Sequence, residues 1–114
     1  MLAAPNRLTD GRTISRVFSR GQYAAVGPFV VRVMGHGEAP SRAVVVVSKK
    51  ISKKAVVRNR IRRRVAAQLA TDWETVVPGY DIVVSVRADI AEVSPAEITE
   101  PLATAFTKLK LRTP

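Results

Sequence analysis

The chain has 114 residues and no cysteine, which leaves room for one domain with one hydrophobic core and excludes disulfides, thiol catalysis and cysteine-based zinc sites. A formal net charge of +10 indicates a polyanionic partner, and a hydrophobic content of 46% distinguishes the chain from a disordered basic tail. No apolar run has the length that a membrane span or a signal peptide requires. We therefore expect a soluble, cytoplasmic protein, with membrane-surface binding through a basic helix as an alternative.

The first 47 residues predict one helix followed by three strands. The helix begins at the capping residues Thr9 and Asp10 and ends at Gly21. The predicted strands are residues 22–26, 29–34 and 42–47, separated by a Gly-Pro turn at 27–28 and a hairpin at 35–40. The third strand is apolar on both faces, which predicts a central position in the sheet. The hairpin contains His36, which we expect to be exposed to solvent rather than to bind a metal.

Residues 48–64, SKKISKKAVVRNRIRRR, hold nine Lys or Arg residues and no acid, and we call them the basic segment. From residue 55 onward apolar residues recur every four positions, which predicts an amphipathic helix that ends between residues 69 and 77. Most charge runs on helices are only solvated faces. Such faces mix signs to form ion pairs, however, and this helix has no acid before Asp72. The basic segment therefore predicts a surface for nucleic acid phosphates.

The last third of the chain predicts one strand and one helix. Residues 80–86 alternate between two faces, and the first of these faces, beginning at Tyr80, is assigned to the core. A capping box at residues 94–97 begins a helix that continues to about residue 109, with Pro101 on the solvent side and a kink or a late start there. The element order is αβββαβα. This order predicts a single α/β (α+β) domain over residues 1–114, a two-layer sandwich of a four-stranded mixed sheet and three helices. The basic segment predicts that this domain binds RNA.

Aromatic residues are few, so the base-stacking sheet of an RRM or OB fold is poorly supplied. We assign four of them to the core: Tyr23, Trp73, Tyr80 and Phe106. The remaining two, Phe18 and Phe29, fit the core and a binding surface equally well.

Motifs for catalysis by the protein itself are absent from the sequence, which has no Gly-rich phosphate loop, no HExxH and no cysteine nucleophile. Composition therefore favours an RNA-binding protein without catalytic residues or a metal site of its own. A structural ribosomal protein, or a general RNA-binding protein, is one alternative. A DNA-binding regulator is another, although a helix-turn-helix would be expected there and a strand precedes the basic helix instead.

The triplet Arg58-Asn59-Arg60 closely resembles the signature of the protein subunit of bacterial ribonuclease P. The likeness includes Ser48-Lys49-Lys50, Ala55-Val56 and Ile61-Arg62-Arg63 around the triplet. Elsewhere it includes Asn6-Arg7-Leu8, Val17-Phe18 with Gly21, Phe29-Val30-Val31 and Tyr80-Asp81. The resemblance implies a fold like ribosomal protein S5 domain 2, with a left-handed crossover that the general handedness rule would not predict.

The resemblance also implies a role in an endoribonuclease. In such a holoenzyme an RNA is the catalyst and uses magnesium to remove the 5′ leader of precursor tRNA, and the protein binds that RNA and the leader without needing a cofactor or a protein partner. The implied RNA-binding residues are Lys49, Lys50, Lys53, Lys54, Arg58, Asn59, Arg60, Arg62 and Arg63. The leader would lie in a cleft between the sheet and the basic helix, lined by Phe18, Arg32, Val46, Lys50, Ala55 and Val57.

Three residues and one short segment depart from the family pattern. Ile14 stands where the first helix usually has phenylalanine, and Arg32 stands where the strand often has an aromatic residue. We therefore expect weaker stacking on the leader and stronger phosphate contact. Ala66 replaces a common basic residue, and residues 52–54 are one residue longer than usual.

Overall fold

A four-stranded sheet carries helices on both of its faces. The structure, a computed structural model, describes residues 2–37 and 39–112. Its elements are α1 (Gly11–Arg20), β1 (Gln22–Val26), β2 (Phe29–Gly35), β3 (Arg42–Val47), α2 (Ala55–Thr71), β4 (Tyr80–Val86) and α3 (Pro95–Lys108), with short 3-10 turns at Ala4–Asn6 and Trp73–Thr75. The predicted element order and the predicted α+β class with a four-stranded mixed sheet are confirmed.

The strand order is β1-β2-β4-β3, with β3 parallel to β4 and the other pairs antiparallel. The predicted central position of β3 is therefore wrong, because β3 lies at an edge and β4 lies inside the sheet. The N-terminal segment covers part of that edge, since Arg7 forms a parallel bridge with Ala43 and the Leu8 N–H donates to the Ala43 carbonyl at 3.0 Å. The α2 helix connects β3 to β4, and the handedness of this crossover stays a prediction.

The larger core lies between the sheet and helices α2 and α3. Inward-facing strand residues such as Phe29, Val31 and Val84 meet the buried stripe of α2, and they also meet Phe106 from α3. Because nine-tenths or more of each of these side chains is removed from water, the hydrophobic effect of this layer is the main source of stability. The predicted inward face of β4 is confirmed.

The opposite face of the sheet carries a smaller core. There Val17 of α1 packs with Leu8 and Val83, and Ile14, Met34, Val44 and Val46 are partly buried against them. β3 therefore buries apolar side chains on both faces although it is an edge strand. This explains why a two-sided apolar pattern did not identify its position.

Asp81 is buried beside this smaller core and is held by an ion pair. Arg42 donates from Nε to Asp81 Oδ1 at 2.8 Å and from Nη2 to Oδ2 at 3.0 Å, and the His36 Nε2 atom lies 3.6 Å from the same Oδ1. The expectation that His36 is exposed is therefore wrong, since its side chain retains only 19% of its accessible surface. The two-point contact satisfies a carboxylate that would be costly to bury alone.

Side chains at the helix ends explain where α1 and α3 begin. Asp10 caps α1, and the hydrogen bonds from the Thr13 hydroxyl and the Arg12 N–H lower the pKa of its carboxyl group. The predicted capping box of Ser94 and Glu97 is present, so α3 has no late start. The helix continues through Pro101, which is half-buried rather than on the solvent side and lies next to the Gly27 turn.

Gly79 joins the loop before β4 to the loop between β2 and β3, since its N–H donates to the Ala39 carbonyl at 2.8 Å. The hairpin predicted at residues 35–40 is wrong, because β4 lies between β2 and β3 in the sheet. The φ angle of Gly79 is +97°, and a Cβ atom built there would lie 2.0 Å from the Gly37 carbonyl oxygen. We expect Gly79→Ala to lower the free energy of unfolding by roughly 1–3 kcal/mol, measured by urea denaturation. Gly11→Ala is the control, because its Cβ meets nothing within 4 Å and alanine favours the helix. Equal stabilities of the two variants would contradict this interpretation.

Candidate nucleic-acid interface

The basic segment lies on the surface around the N-terminal end of α2. All four lysines of the segment are exposed, and so are Asn59, Arg60 and Arg63, whereas Arg58 and Arg62 are half-buried. Lys54 is the N-cap residue of α2, its side chain makes no capping hydrogen bond, and the first turn holds no acid. The positive end of the helix dipole therefore adds to the positive charge of the side chains. Such an end is stabilised by an anion.

Several arginines of the segment also hold the protein together. Arg58 Nη1 donates to the Ser52 carbonyl at 2.9 Å, which joins the turn before α2 to the helix. Arg60 Nε donates to the Ala91 carbonyl at 3.1 Å, and Arg60 Nη2 forms a 3.3 Å ion pair with Glu92. These contacts orient Arg58 and Arg60, so loss of either side chain would affect structure as well as charge.

Arg64 has a structural role that the sequence did not predict, because there it was counted only among the charges of the basic segment. Its Nη1 atom donates to the carbonyls of Ile90 and Ala91 at 2.9 and 2.8 Å, and its Nη2 atom donates to the Val93 carbonyl. Arg64 follows Arg60 by one helical turn, and side chains four residues apart share a helix face. From that spacing the sequence could have predicted that Arg60 and Arg64 act on the same neighbouring segment. Arg60 and Arg64 together hold the loop between β4 and α3 against α2.

A second feature lies on the α1 side of the sheet, which α1 covers only in part. The Arg32 guanidinium stacks on the Phe18 ring, 4.8 Å from its centroid, and Arg32 Nη1 lies 3.4 Å from the Ser85 hydroxyl. Phe18 is 42% exposed. Ser85 is paired in register with Val30 on one side and Val46 on the other, so these side chains share this face. We call these five residues the α1-side groove.

Tyr23 extends the groove at its outer edge. Tyr23 pairs in register with Arg32 and is 68% exposed, so its predicted place in the core is wrong. The edge position of β1 accounts for this result, because α1 does not reach across the whole face. The other three aromatic residues assigned to the core do contact it. Phe106 is buried, and Trp73 and Tyr80 are partly buried against the larger core.

The predicted leader cleft is divided between two places. Phe18, Arg32 and Val46 lie on the α1 side, whereas Val57 of α2 packs against the larger core on the opposite face. Buried side chains, including Ile61 and Val65, fill the space between the sheet and α2. The described side chains therefore leave no open cleft along the buried stripe of α2, and binding of the leader by the predicted residues stays a prediction.

Two predicted cleft residues link these places. Lys50 and Ala55 are exposed where the chain passes from β3 into α2. Val46 precedes Lys50 by only four residues, so the α1-side groove and the basic segment adjoin along the chain. The part of the chain that the structure describes contains no cluster of three or more His, Asp or Glu residues placed to hold a metal ion.

A family model described as Ribonuclease P matches residues 2–110. The chain belongs to the ribonuclease P protein family. Two relatives named "Ribonuclease P protein component", from Rippkaea orientalis and Clavibacter michiganensis, are 32% and 35% identical to the chain. The alignments cover 93% and 95% of this chain and 87% and 96% of the relatives. The solved ribonuclease P protein of Thermotoga maritima is similar with a TM-score of 0.76 at 28% identity, over 86% of this chain and 92% of that one.

The family predicted from Arg58-Asn59-Arg60 is confirmed, and the chain is a tRNA-processing protein of the ribonuclease P type. None of the helices that the structure describes for this ribonuclease P protein has both the length and the apolar composition needed to cross a bilayer. The roles of individual residues, and of magnesium, stay predictions.

Arg64 and Arg63 offer a matched pair of substitutions on the same helix. Arg64→Ala removes the side-chain donor of the Ile90 and Val93 carbonyls and one of the two donors of the Ala91 carbonyl, so we expect the free energy of unfolding to fall by roughly 1–3 kcal/mol. Arg63→Ala removes an exposed side chain and should change stability by less than about 0.5 kcal/mol. Urea denaturation measures both, and amide hydrogen exchange should rise at residues 90–93 only in Arg64→Ala. If both variants keep wild-type exchange there, Arg64 does not hold this loop.

Proposed function

We propose that this ribonuclease P protein binds the catalytic RNA of the holoenzyme through the basic segment and α2, and holds the 5′ leader of precursor tRNA in the α1-side groove. The RNA performs the cleavage with its magnesium ions. The protein has two tasks, which are to stabilise the assembled RNA and to select a substrate that carries a leader.

The observation that carries the proposal is the stacked pair of Arg32 and Phe18 on the partly covered face of the sheet. Single-stranded nucleic acid is held by stacking on exposed rings and by cations that follow its backbone. The groove supplies both, with Phe18 and Tyr23 as exposed rings and Arg32 as the cation.

The RNA-binding part of the proposal is supported by charge that the protein does not neutralise. Four exposed lysines surround a helix end that has no acid in its first turn, and like charges in proximity raise the free energy of the unbound state. Phosphates relieve this repulsion and release counterions. Val56, 68% exposed in the first turn of α2, adds an apolar contact for a base or a sugar.

The role of the groove is tested by comparing precursor and mature tRNA on the reconstituted holoenzyme at fixed salt and magnesium. We expect Arg32→Ala to weaken precursor binding about tenfold or more and to leave mature tRNA binding unchanged, because only the precursor has a leader. Arg32→Lys should recover part of the loss, since it keeps the charge without the stacked guanidinium.

Arg16→Ala is the control for this experiment, because it removes one exposed charge from α1 outside the groove. An equal effect of Arg32→Ala on both tRNAs would place the leader elsewhere. A general RNA-binding protein would lose affinity for every RNA by the same factor.

The location of the RNA surface is tested by removing two charges at a time. Lys54→Ala with Arg63→Ala should lower affinity for the RNA subunit and reduce the slope of log affinity against log salt by roughly 1.4–1.8, at about 0.7–0.9 per phosphate contact. Arg20→Ala with Lys108→Ala removes the same charge from a basic hollow at the far end of the sheet and should leave the slope unchanged. Equal slopes for the two double variants would show that only total charge matters.

A further inference from the structure

An apolar pocket lies between the N-terminal segment, the outer edge of β3 and helix α2. Its volume is about 310 Å³, at the lower end of the range for small-molecule sites. We call it the edge pocket. It is lined by Leu2, Arg7, Leu8, Thr9, Ala43, Val44, Val45, Arg62, Ala66 and Leu69.

The walls of the edge pocket are suited to a flat, largely apolar group. Leu8, Ala43 and Leu69 are buried side chains that present hydrocarbon surface to it. The charged groups in its lining are the guanidinium groups of Arg7 and Arg62. Arg7 Nε donates to the Leu2 carbonyl, which ties the N-terminal segment across one side. Such a lining combines apolar side chains, which pack against the face of a nucleobase, with planar guanidinium groups, which stack on it.

The edge pocket is continuous with the proposed RNA surface. Arg62 and Ala66 line it and also line a hollow of about 270 Å³ on the outside of α2, together with Asn59 and Arg63. Arg62 donates one N–H to Asn59 Oδ1, and a guanidinium group has five N–H donors in all. A phosphate at this hollow would therefore bring the adjoining nucleotide to the mouth of the pocket.

We propose that the edge pocket binds one unstacked nucleobase of the RNA subunit, with the adjoining phosphate held by Arg62. This inference rests on the proposed function, because it adds a base-binding position to the RNA surface of α2. It also assigns a role to Ala66, whose small side chain leaves the space open. A purely apolar occupant, such as a lipid chain, would not engage the Arg62 guanidinium group in the lining.

The matched substitutions are Ala66→Leu and Ala67→Leu. Ala66 is half-buried in the lining, whereas Ala67 is its exposed neighbour on the same helix. Leucine and alanine both favour helix formation, so the two variants differ mainly in whether the new side chain enters the pocket. Ala66→Val is a smaller substitution at the same place, and it keeps the test usable if Ala66→Leu does not fold.

The probes are adenosine 5′-monophosphate and ribose 5-phosphate, titrated into the protein alone while methyl NMR resonances are recorded. We expect adenosine 5′-monophosphate to shift the methyl signals of Leu8, Ala43 and Leu69, and ribose 5-phosphate to leave them in place. Ala66→Leu should weaken this binding about tenfold or more, Ala66→Val should weaken it less, and Ala67→Leu should match the wild type.

The same variants are then assembled with the RNA subunit. We expect Ala66→Leu to weaken assembly about tenfold and Ala67→Leu to leave it unchanged, because stacking of one base is the contact that is lost. If the two phosphate compounds shift the same signals, or if a folded Ala66→Leu variant assembles like the wild type, the edge pocket is not a base site. If the wild type binds adenosine 5′-monophosphate in the pocket but does not bind the RNA subunit, the base site is supported and the proposed function fails.

Discussion

The burial of the apolar stripe of α2 against the sheet determines where the charges of the basic segment point. Ile61, Val65 and Leu69 are almost completely removed from water, and their contacts fix the rotation of the helix about its own axis. Rotation by even one residue would bring an arginine into the core, at the cost of an uncompensated buried charge. The hydrophobic effect therefore orients a surface that acts by electrostatics.

This orientation divides the arginines of α2 into two groups. One edge of the helix faces the loop between β4 and α3, where Arg60 and Arg64 donate to backbone carbonyls. The other edge faces outward and toward β3, with Arg62 and Arg63 beside the edge pocket. A high density of like charge is tolerated because carbonyl oxygens accept hydrogen bonds from the first group and Glu92 neutralises part of its charge. The second group retains the positive potential that a polyanion would meet.

The edge position of β3 connects the two proposed binding regions. The chain leaves β3 beside the open part of the sheet, passes through the lysines of the basic segment and enters α2. A polyanion bound to α2 and a single strand lying in the α1-side groove would thus meet at the same turn. The parallel pairing of β3 with β4 requires a crossover helix, so this arrangement follows from the topology.

Local sequence determined most of the elements and the family. Periodicity, caps and turn residues predicted the bounds of the helices and strands to within about two residues, except for the end of α2, which was predicted only as a range. Arg58-Asn59-Arg60 with its flanking residues indicated ribonuclease P. These signals are local, because they depend on residues within one or two turns of each other. They also identified the basic segment, whose run of positive charge without acids is unusual for a solvated helix face.

Tertiary structure decided which faces are open and which are filled. The central position of β4, the exposure of Tyr23 and the partial burial of His36 beside Asp81 depend on partners 39 or more residues distant or on how far α1 extends over the sheet. The same holds for the space between α2 and the sheet, which buried side chains fill, and for Arg64, whose carbonyl partners lie in another loop. A sequence pattern states that a face is apolar, but only the packed chain determines what covers it, because burial depends on contacts between segments that are distant in sequence.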